Sequence, residues 1–221
     1  MALKGYSNED IARRVAAELQ EDWVVNVGIG MPLTVMPFVP VERDVIFHSE
    51  NGIIGMGPEL ADPAQGDQDL LSAGKRPVTL IPGGSFVHHA DSFALARSGR
   101  LDAALLGAYQ VAENGDLANW KLPGAKLGSI GGAMDIAAGA KRVFVMMTHV
   151  TTKGQPKIVR KVTYPLTARR CVTRIFTDLA VISVTAKGLV VEDIAPGLTL
   201  ADLQNVTEAQ LTPGGRLATA A

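Results

Sequence analysis

Residues 45–57 read Val-Ile-Phe-His-Ser-Glu-Asn-Gly-Ile-Ile-Gly-Met-Gly, an apolar run that ends at a carboxylate. Residues 45–48 predict a strand, and the glycines that follow Glu50 predict a loop that begins at once. The ends of strands often carry functional groups, because a rigid element fixes one side chain while a loop brings others close. Position alone leaves four roles open for Glu50: a surface side chain, a base, a ligand or a nucleophile.

Strands and helices alternate on both sides of this stretch. Helices are predicted where apolar residues recur at helical spacing behind a cap, and strands where short apolar runs are bounded by Gly or Pro. The predicted helices are 7–21 behind Ser7, 91–98 capped by Asp91, 131–140 opened by Gly131-Gly132, and 199–205. The predicted strands are 23–27, 45–48, 77–81, 101–111 and 142–150, with a hairpin made by 179–185 and 188–194.

This order predicts an α/β fold with an open, mostly parallel sheet flanked by helices. Several of the strands are apolar throughout, as strands buried on both faces are. The sequence contains no internal repeat and no linker-like stretch, so one domain over residues 1–221 is predicted, with a frayed tail from about residue 212.

Composition excludes several classes of function. The chain has 221 residues, 47% of them hydrophobic, and a formal net charge of -1, which creates no field for nucleic acid or an anionic membrane. A single cysteine, Cys171, excludes an internal disulfide and a cysteine-based metal site. Neither a signal peptide nor an apolar stretch of about 18 residues is present. These features predict a cytoplasmic protein that binds neither membrane nor nucleic acid.

Two glycine-rich turns qualify as places where a ligand can approach the backbone. Residues 28–33 begin like a dinucleotide-binding fingerprint, but Leu33 stands where the third glycine is required, so nicotinamide binding is not expected. Gly131-Gly132 either packs a helix closely against a strand or lets a ligand come near. Residues alone therefore suggest a site where 26–31, 48–57 and 131–133 meet.

Other reactive side chains fit simpler explanations. His88 and His89 are adjacent and cannot share a metal, and no metal site is expected. His48 either tunes Glu50 or packs inside a strand. Neither Ser49 nor Ser85 has the glycine pattern of a nucleophilic elbow. For Cys171 a core cysteine is favoured over a thiolate held by neighbouring arginines, and Lys75 is either solvated or an anion contact.

The sequence resembles family I CoA-transferases, in particular the β subunit of the 3-oxoacid group. The resemblance begins at Ser49-Glu50-Asn51-Gly52 and the following residues 53–58. Further blocks occur in the same order along the chain and extend the likeness over roughly residues 7–211. These blocks are 26–32, 69–75, 115–120, 131–135 and 164–167.

The resemblance implies that Glu50 is a covalent nucleophile. Glu50 would attack an acyl-CoA carbonyl, form a mixed anhydride and then a glutamyl-CoA thioester, and pass CoA to a second carboxylate in a ping-pong reaction. It also implies that Gly131 and Gly132 lie near the thioester and that Asn26, Asn51 and Lys75 are close to CoA or the acyl group. Coenzyme A is then a substrate, and no metal or redox cofactor is needed.

The same resemblance implies a partner. A separately encoded α subunit would complete the site in an α2β2 assembly. Succinyl-CoA would be the donor and acetoacetate or 3-oxoadipate the acceptor. Residues 88–93 look more like 3-oxoadipate subunits, whereas 122–124 followed by Gly131-Gly132 are shared with acetoacetate enzymes. A non-catalytic ligand-binding relative on the same fold remains the alternative, because fold does not fix function.

Overall fold

A computed structural model describes residues 5–218 of the chain. The helices are α1 (Asn8–Glu18), α2 (His89–Arg97), α3 (Ala133–Gly139), α4 (Leu200–Asn205) and α5 (Gly215–Ala218), and 3-10 helices cover Met31–Phe38, Val41–Arg43 and Pro63–Gln65. The strands are β1 (Val24–Val27), β2 (Ile46–Ser49), β3 (Ile53–Glu59), β4 (Val78–Phe86), β5 (Ala103–Gly107), β6 (Gln110–Ala112), β7 (Leu117–Ala118), β8 (Val143–Met147), β9 (Ile158–Val159), β10 (Val172–Thr177), β11 (Ala180–Thr185), β12 (Gly188–Ile194) and β13 (Leu211–Pro213).

Ten strands form one sheet in the order β13-β12-β11-β10-β8-β5-β1-β2-β3-β4. The central strands from β10 to β2 are all parallel, and antiparallel strands extend the sheet on both sides. A small second sheet has the order β7-β6-β9. The predicted α/β architecture with a mostly parallel sheet is confirmed.

Each face of the large sheet is covered by helices. Side chains alternate along a strand, so odd and even residues of β1 face opposite layers. Val25 and Val27 pack with α1 and Met31–Phe38 in one buried cluster. Val24 packs in the other cluster, with α2, α3 and the small sheet. Asn26 shares the parity of Val24 and therefore points towards α2.

Local signals predicted α1 well. The hydroxyl of Ser7 accepts from the backbone of Asp10, and the Asp10 carboxylate accepts in return from the Ser7 N–H, which is a complete capping box. Ile11, Val15 and Leu19 are each at most 1% exposed on the face that meets the sheet. The helix ends at Glu18, earlier than the predicted residue 21.

The loop predicted after Glu50 is wrong beyond Gly52. Residues 53–59 form β3, which pairs antiparallel with β2. The glycines serve a strand here: Gly55 has φ +80° at a register shift between β3 and β4, and Gly52 has φ +114°. A Cβ at Gly52 would lie 2.3 Å from the carbonyl oxygen of Val87, so only glycine permits this approach.

Three further boundaries differ from the sequence prediction. The apolar run 101–111 is split into β5 and β6, which belong to different sheets. The cap of α2 is His88, whose side chain accepts from Ala90, and Asp91 lies inside the first turn. Fraying does not begin at residue 212, because β13 pairs in parallel with β12 and α5 follows it. The last three residues of the predicted tail, 219–221, lie outside the described part of the chain.

Candidate active site

A cleft opens at the carboxyl ends of the parallel strands. The chain leaves β1 for β2 on one side and later returns to β5 on the other, so the topology switches direction at β1. Open α/β sheets bind ligands at such a switch point. The cleft has a volume of about 530 Å³, and its wall includes Gly28 after β1, Gly107 at the end of β5, Met147 at the end of β8, and Glu50 after β2.

The carboxylate of Glu50 lies against the Gly131-Gly132 turn. Glu50 is the first residue after β2, and Gly132 is the residue just before α3. The backbone N–H of Gly132 donates to the Glu50 carboxylate. A Cβ at Gly132 would lie 2.7 Å from Glu50 Oε2 and 2.5 Å from the Phe93 ring, so a side chain at this position would displace the carboxylate. The predicted meeting of residues 48–57 with 131–133 is therefore found.

Burial raises the pKa of Glu50 above its ordinary value. The Gly132 N–H and the positive charge of nearby His89 oppose this effect, because both favour the ionised form. The carboxylate is thus partly stripped of water but retains one hydrogen-bond donor. A desolvated carboxylate is a better nucleophile or base than a hydrated one, and a donor beside it can stabilise charge that moves onto a neighbouring oxygen.

A chain of hydrogen bonds runs from β1 to the backbone of Glu50. Asn26 Nδ2 lies 3.0 Å from His48 Nδ1, and His48 Nε2 lies 2.8 Å from the Ser92 hydroxyl. That hydroxyl lies 2.8 Å from the carbonyl oxygen of Glu50. An amide N–H can only donate, so Nδ1 is the acceptor, Nε2–H donates to Ser92, and Ser92 donates to Glu50.

Burial holds the first two members of this chain in one state. His48 is fully buried, and its burial lowers its pKa to about 4, so the ring is neutral at physiological pH. Asn26 is 1% exposed, and within the described residues its Oδ1 atom has no hydrogen-bond partner. The prediction that Asn26 acts close to Glu50 is met through His48 and Ser92, with no direct hydrogen bond between Asn26 and Glu50 in the described chain.

Two residues of the signature fasten the loop 71–73 to the end of β2. The amide of Asn51 donates to the Leu71 carbonyl at 2.7 Å, and the Ser49 hydroxyl accepts from the Ala73 N–H at 2.9 Å. Ala73 in turn lines the cleft. Lys75 is exposed two residues further on, with φ +59°, outside the wall of the cleft. Its predicted contact with CoA or the acyl group stays a prediction.

Sequence reasoning missed two residues of the site. Ser92 was not singled out, because its role depends on how α2 packs over β2. Lys157 lines the cleft from the segment before β9, where no sequence motif marks it. A polar residue three positions into a helix, as Ser92 is, gives no signal on its own.

The simpler explanations held for the other side chains. Burial raises the pKa of the Cys171 thiol to about 12, which excludes a reactive thiolate. His89 stacks on Phe93 with a ring separation of 4.7 Å. Over residues 5–218 no group of three His, Cys, Asp or Glu side chains is arranged to hold a metal ion. None of the described helices combines the length and the apolar character that a membrane span requires.

Comparison with known proteins places this geometry in context. The model of the coenzyme A transferase family matches residues 8–205. The β subunit of the 3-oxoadipate CoA-transferase of Acinetobacter baylyi is 49% identical over 215 residues, which cover 96% of this chain and 97% of that protein. The β subunit of the succinyl-CoA:3-ketoacid coenzyme A transferase of Helicobacter pylori is 41% identical over 204 residues, which cover 91% and 97%.

The fold also matches solved structures. An acyl-CoA transferase from Escherichia coli O157:H7 superposes with a TM-score of 0.74 at 22% identity. The match covers 98% of this chain but 44% of that chain, so the present protein spans less than half of that one. At this level of identity the likeness concerns the fold alone.

Proposed function

The chain belongs to the coenzyme A transferase family, and we propose that it is the β subunit of a 3-oxoacid CoA-transferase in which Glu50 is the nucleophile. The observation that carries this proposal is the Glu50 carboxylate held against the Gly132 N–H, in a cleft at the switch point of the sheet. Position alone left the role of Glu50 open; burial together with a preorganised donor favours covalent catalysis.

The reaction we propose moves CoA between two carboxylates. Glu50 attacks the thioester carbonyl of the donor, the C–S bond breaks, and CoA thiolate leaves behind a mixed anhydride. The thiolate then attacks the Glu50 carbonyl and expels the donor acid as its carboxylate. This leaves CoA bound to Glu50 as a thioester. An acceptor carboxylate reverses both steps, so Glu50 is regenerated and no water is consumed.

The Gly132 N–H has two roles in this scheme. In the free enzyme it donates to the carboxylate of Glu50. When the Glu50 carbonyl is attacked, negative charge moves onto its oxygen, and the same donor can stabilise that charge by about 3 kcal/mol. Absence of a side chain at Gly132 is what lets the carboxylate reach the backbone.

The other signature residues are proposed to shape the site around this pair. Asn26 acts through His48 and Ser92, and Asn51 fastens the turn that begins at Glu50. Lys75 would meet the CoA portion outside the cleft, where its side chain is exposed. Coenzyme A enters as a substrate, and the scheme uses no metal or redox cofactor.

The partner and the substrates follow from the relatives. Both bacterial relatives are named as one subunit of their enzyme, so we propose a separately encoded α subunit, with an α2β2 assembly. One relative is named for 3-oxoadipate and the other for succinyl-CoA and 3-ketoacids. We therefore propose succinyl-CoA as the donor and a 3-oxo acid, acetoacetate or 3-oxoadipate, as the acceptor.

Trapping of the covalent intermediate tests the proposal. The complex of both subunits is incubated with succinyl-CoA and then with borohydride, which reduces a glutamyl thioester to a primary alcohol. Peptide mapping should find the alcohol at Glu50 and activity should be lost in proportion. Glu42, exposed in Val41–Arg43, is the internal control and should remain a carboxylate.

Two results would contradict the proposal. Unmodified Glu50 in an enzyme that turns over rapidly would remove the nucleophile from this position. A complex that binds CoA tightly yet transfers it to none of a panel of 3-oxo acids would favour the non-catalytic relative on the same fold.

A further inference from the structure

The cleft contains two charged side chains among the described residues that line it. One is Glu50 and the other is Lys157. The remaining wall is apolar or neutral and includes Ile29, Met146 and Thr148. The scheme above uses Glu50 and leaves Lys157 without a role. A lysine in a largely apolar ligand cleft is a group that orients a ligand of opposite charge.

The backbone of Lys157 is fixed from both sides. Its N–H donates to the His149 carbonyl at 3.1 Å, and its carbonyl accepts from the Val111 N–H at 2.9 Å. These bonds join Lys157 to the segment after β8 and to β6 of the small sheet. The starting point of the side chain is therefore set by two sheets, as a binding residue requires.

The ammonium group is partly buried and has no close partner. No hydrogen bond or ion pair joins it to another side chain in the part of the chain that the structure describes. Burial lowers the pKa of Lys157 to about 8, and the negative charge of Asp178 opposes that change. The charged form still predominates at neutral pH. A partly buried cation without a partner is costly, and an anionic ligand would offset the cost.

Glu50 and Lys157 line the same cleft but do not neutralise each other. The charge that acts on the Glu50 carboxylate is that of His89, and the charge that acts to keep Lys157 protonated is that of Asp178. The two cleft groups are therefore separated by enough space for a ligand. A molecule with a thioester at Glu50 and a second anionic group at its far end would satisfy both.

We propose that Lys157 binds the distal carboxylate of a dicarboxylic acyl group, such as the succinyl group, while Glu50 attacks the thioester at the other end. This inference rests on the proposed CoA transfer and adds the residue that selects the acyl group. Lys157 is thus a specificity-determining residue, and a monocarboxylic acyl group makes no use of it.

The test exchanges one charge on the enzyme and one on the substrate. The complex of both subunits transfers CoA from a 3-oxoacyl-CoA to either succinate or succinamate, in which a neutral amide replaces one carboxylate. Wild type should prefer succinate in kcat/KM by about ten-fold or more, as for a charged hydrogen bond. Lys157→Met should reduce this preference to about two-fold, mainly through a higher KM for succinate.

Two further variants separate charge from structure. Lys157→Arg retains the positive charge and should retain the preference for succinate. Lys153→Met removes a lysine that is exposed in the same loop and lies outside the cleft wall, and it should leave both acceptors unchanged. Circular dichroism and the thermal midpoint of each complex report whether a variant has folded.

The outcomes distinguish the two proposals. A wild-type complex that transfers CoA to no acid overturns the proposed function and this inference with it. A wild-type complex that transfers CoA equally well to succinate and succinamate overturns the inference alone, without any variant. The same conclusion follows if Lys157→Met lowers kcat/KM for both acceptors by the same factor, because Lys157 would then act on CoA or on the fold.

Discussion

The hydroxyl of Ser92 donates a 2.8 Å hydrogen bond to the backbone carbonyl of Glu50. This bond joins the first turns of α2 to the first residue after β2, and the same hydroxyl accepts from buried His48. The backbone of Glu50 is therefore held by a helix on one side and by its own strand on the other. The position of the carboxylate depends on both, because they fix the base of its side chain.

Replacement of Ser92 tests this relationship. Ser92→Ala leaves the Glu50 carbonyl and the His48 N–H without a partner, so we expect kcat to fall about ten-fold or more, with KM for acyl-CoA changed less than about three-fold. Steady-state kinetics of the two-subunit complex measures both constants. Ser98→Ala, at the exposed end of the same helix, is the matched control and should match wild type. Equal kcat values for Ser92→Ala and wild type would show that the bond does not position Glu50.

Gly132 should not tolerate a side chain. In Gly132→Ala the new Cβ would meet both the Phe93 ring, at 2.5 Å, and Glu50 Oε2, at 2.7 Å. We expect the variant to lose stability through the first contact and activity through the second. The double variant with Phe93→Leu relieves only the first contact, so the thermal midpoint should recover while the rate of transfer does not. Recovery of both would mean that the approach of Glu50 to Gly132 is not required for catalysis.

Local sequence signals predicted the elements that local interactions determine. The capping box at Ser7 fixed the start of α1, and the hairpin of β11 and β12 was predicted from two apolar runs joined by Ala186-Lys187. Boundaries failed where long-range contacts decide. The apolar run 101–111 gives no sign that β5 and β6 pair with different sheets. The glycines after Glu50 indicate a loop until their partner strand, β4, is known.

The site was predicted only as far as its motif extends. Glu50 and the Gly131-Gly132 turn lie together as expected, because each ends or begins an element at the same edge of the sheet. Ser92 and Lys157 could not be found in this way. Their roles depend on the packing of α2 over β2 and on the register of the small sheet, and neither property is encoded in a short spacing of residues.

Two buried histidines should make the complex sensitive to acid. Burial lowers the pKa of His48 and of His149 to about 4 each. Both rings stay neutral in the folded protein while they become protonated in the unfolded chain. Their stabilising contribution is therefore fully present above about pH 6.5 and is lost as the pH falls towards 4, at up to about 1.4 kcal/mol per pH unit for each ring.

Thermal midpoints between about pH 4 and pH 8 measure this effect. His149→Gln should have a lower midpoint than wild type at the alkaline end, because it disturbs the bonds to Thr177 and Thr207, but a shallower decline towards the acidic end. His88→Asn, which changes an exposed histidine and keeps a capping side chain, should decline as wild type does. A decline in His149→Gln as steep as in wild type would assign the acid sensitivity to other groups.

Neutralisation of Glu50 should stabilise the protein while it abolishes transfer. Because burial raises the pKa of Glu50, the ionised form is less stable in the folded state than in water. The contribution of Glu50 to stability is therefore greatest below its unfolded pKa and is lost as the pH rises through the folded value. Glu50→Gln removes that loss, so its midpoint at neutral pH should exceed that of wild type by about 2 °C. The difference should disappear in acid, where Glu50 is protonated in both states.

The control for this variant is Glu42→Gln, which neutralises an exposed carboxylate and should shift the midpoint little at either pH. A Glu50→Gln complex that is less stable than wild type at neutral pH would mean that the Gly132 N–H and His89 outweigh burial. The carboxylate would then be a structural anion at a helix end. A gain in stability together with a complete loss of transfer is instead the expected behaviour of a residue retained for its chemistry at a cost to the fold.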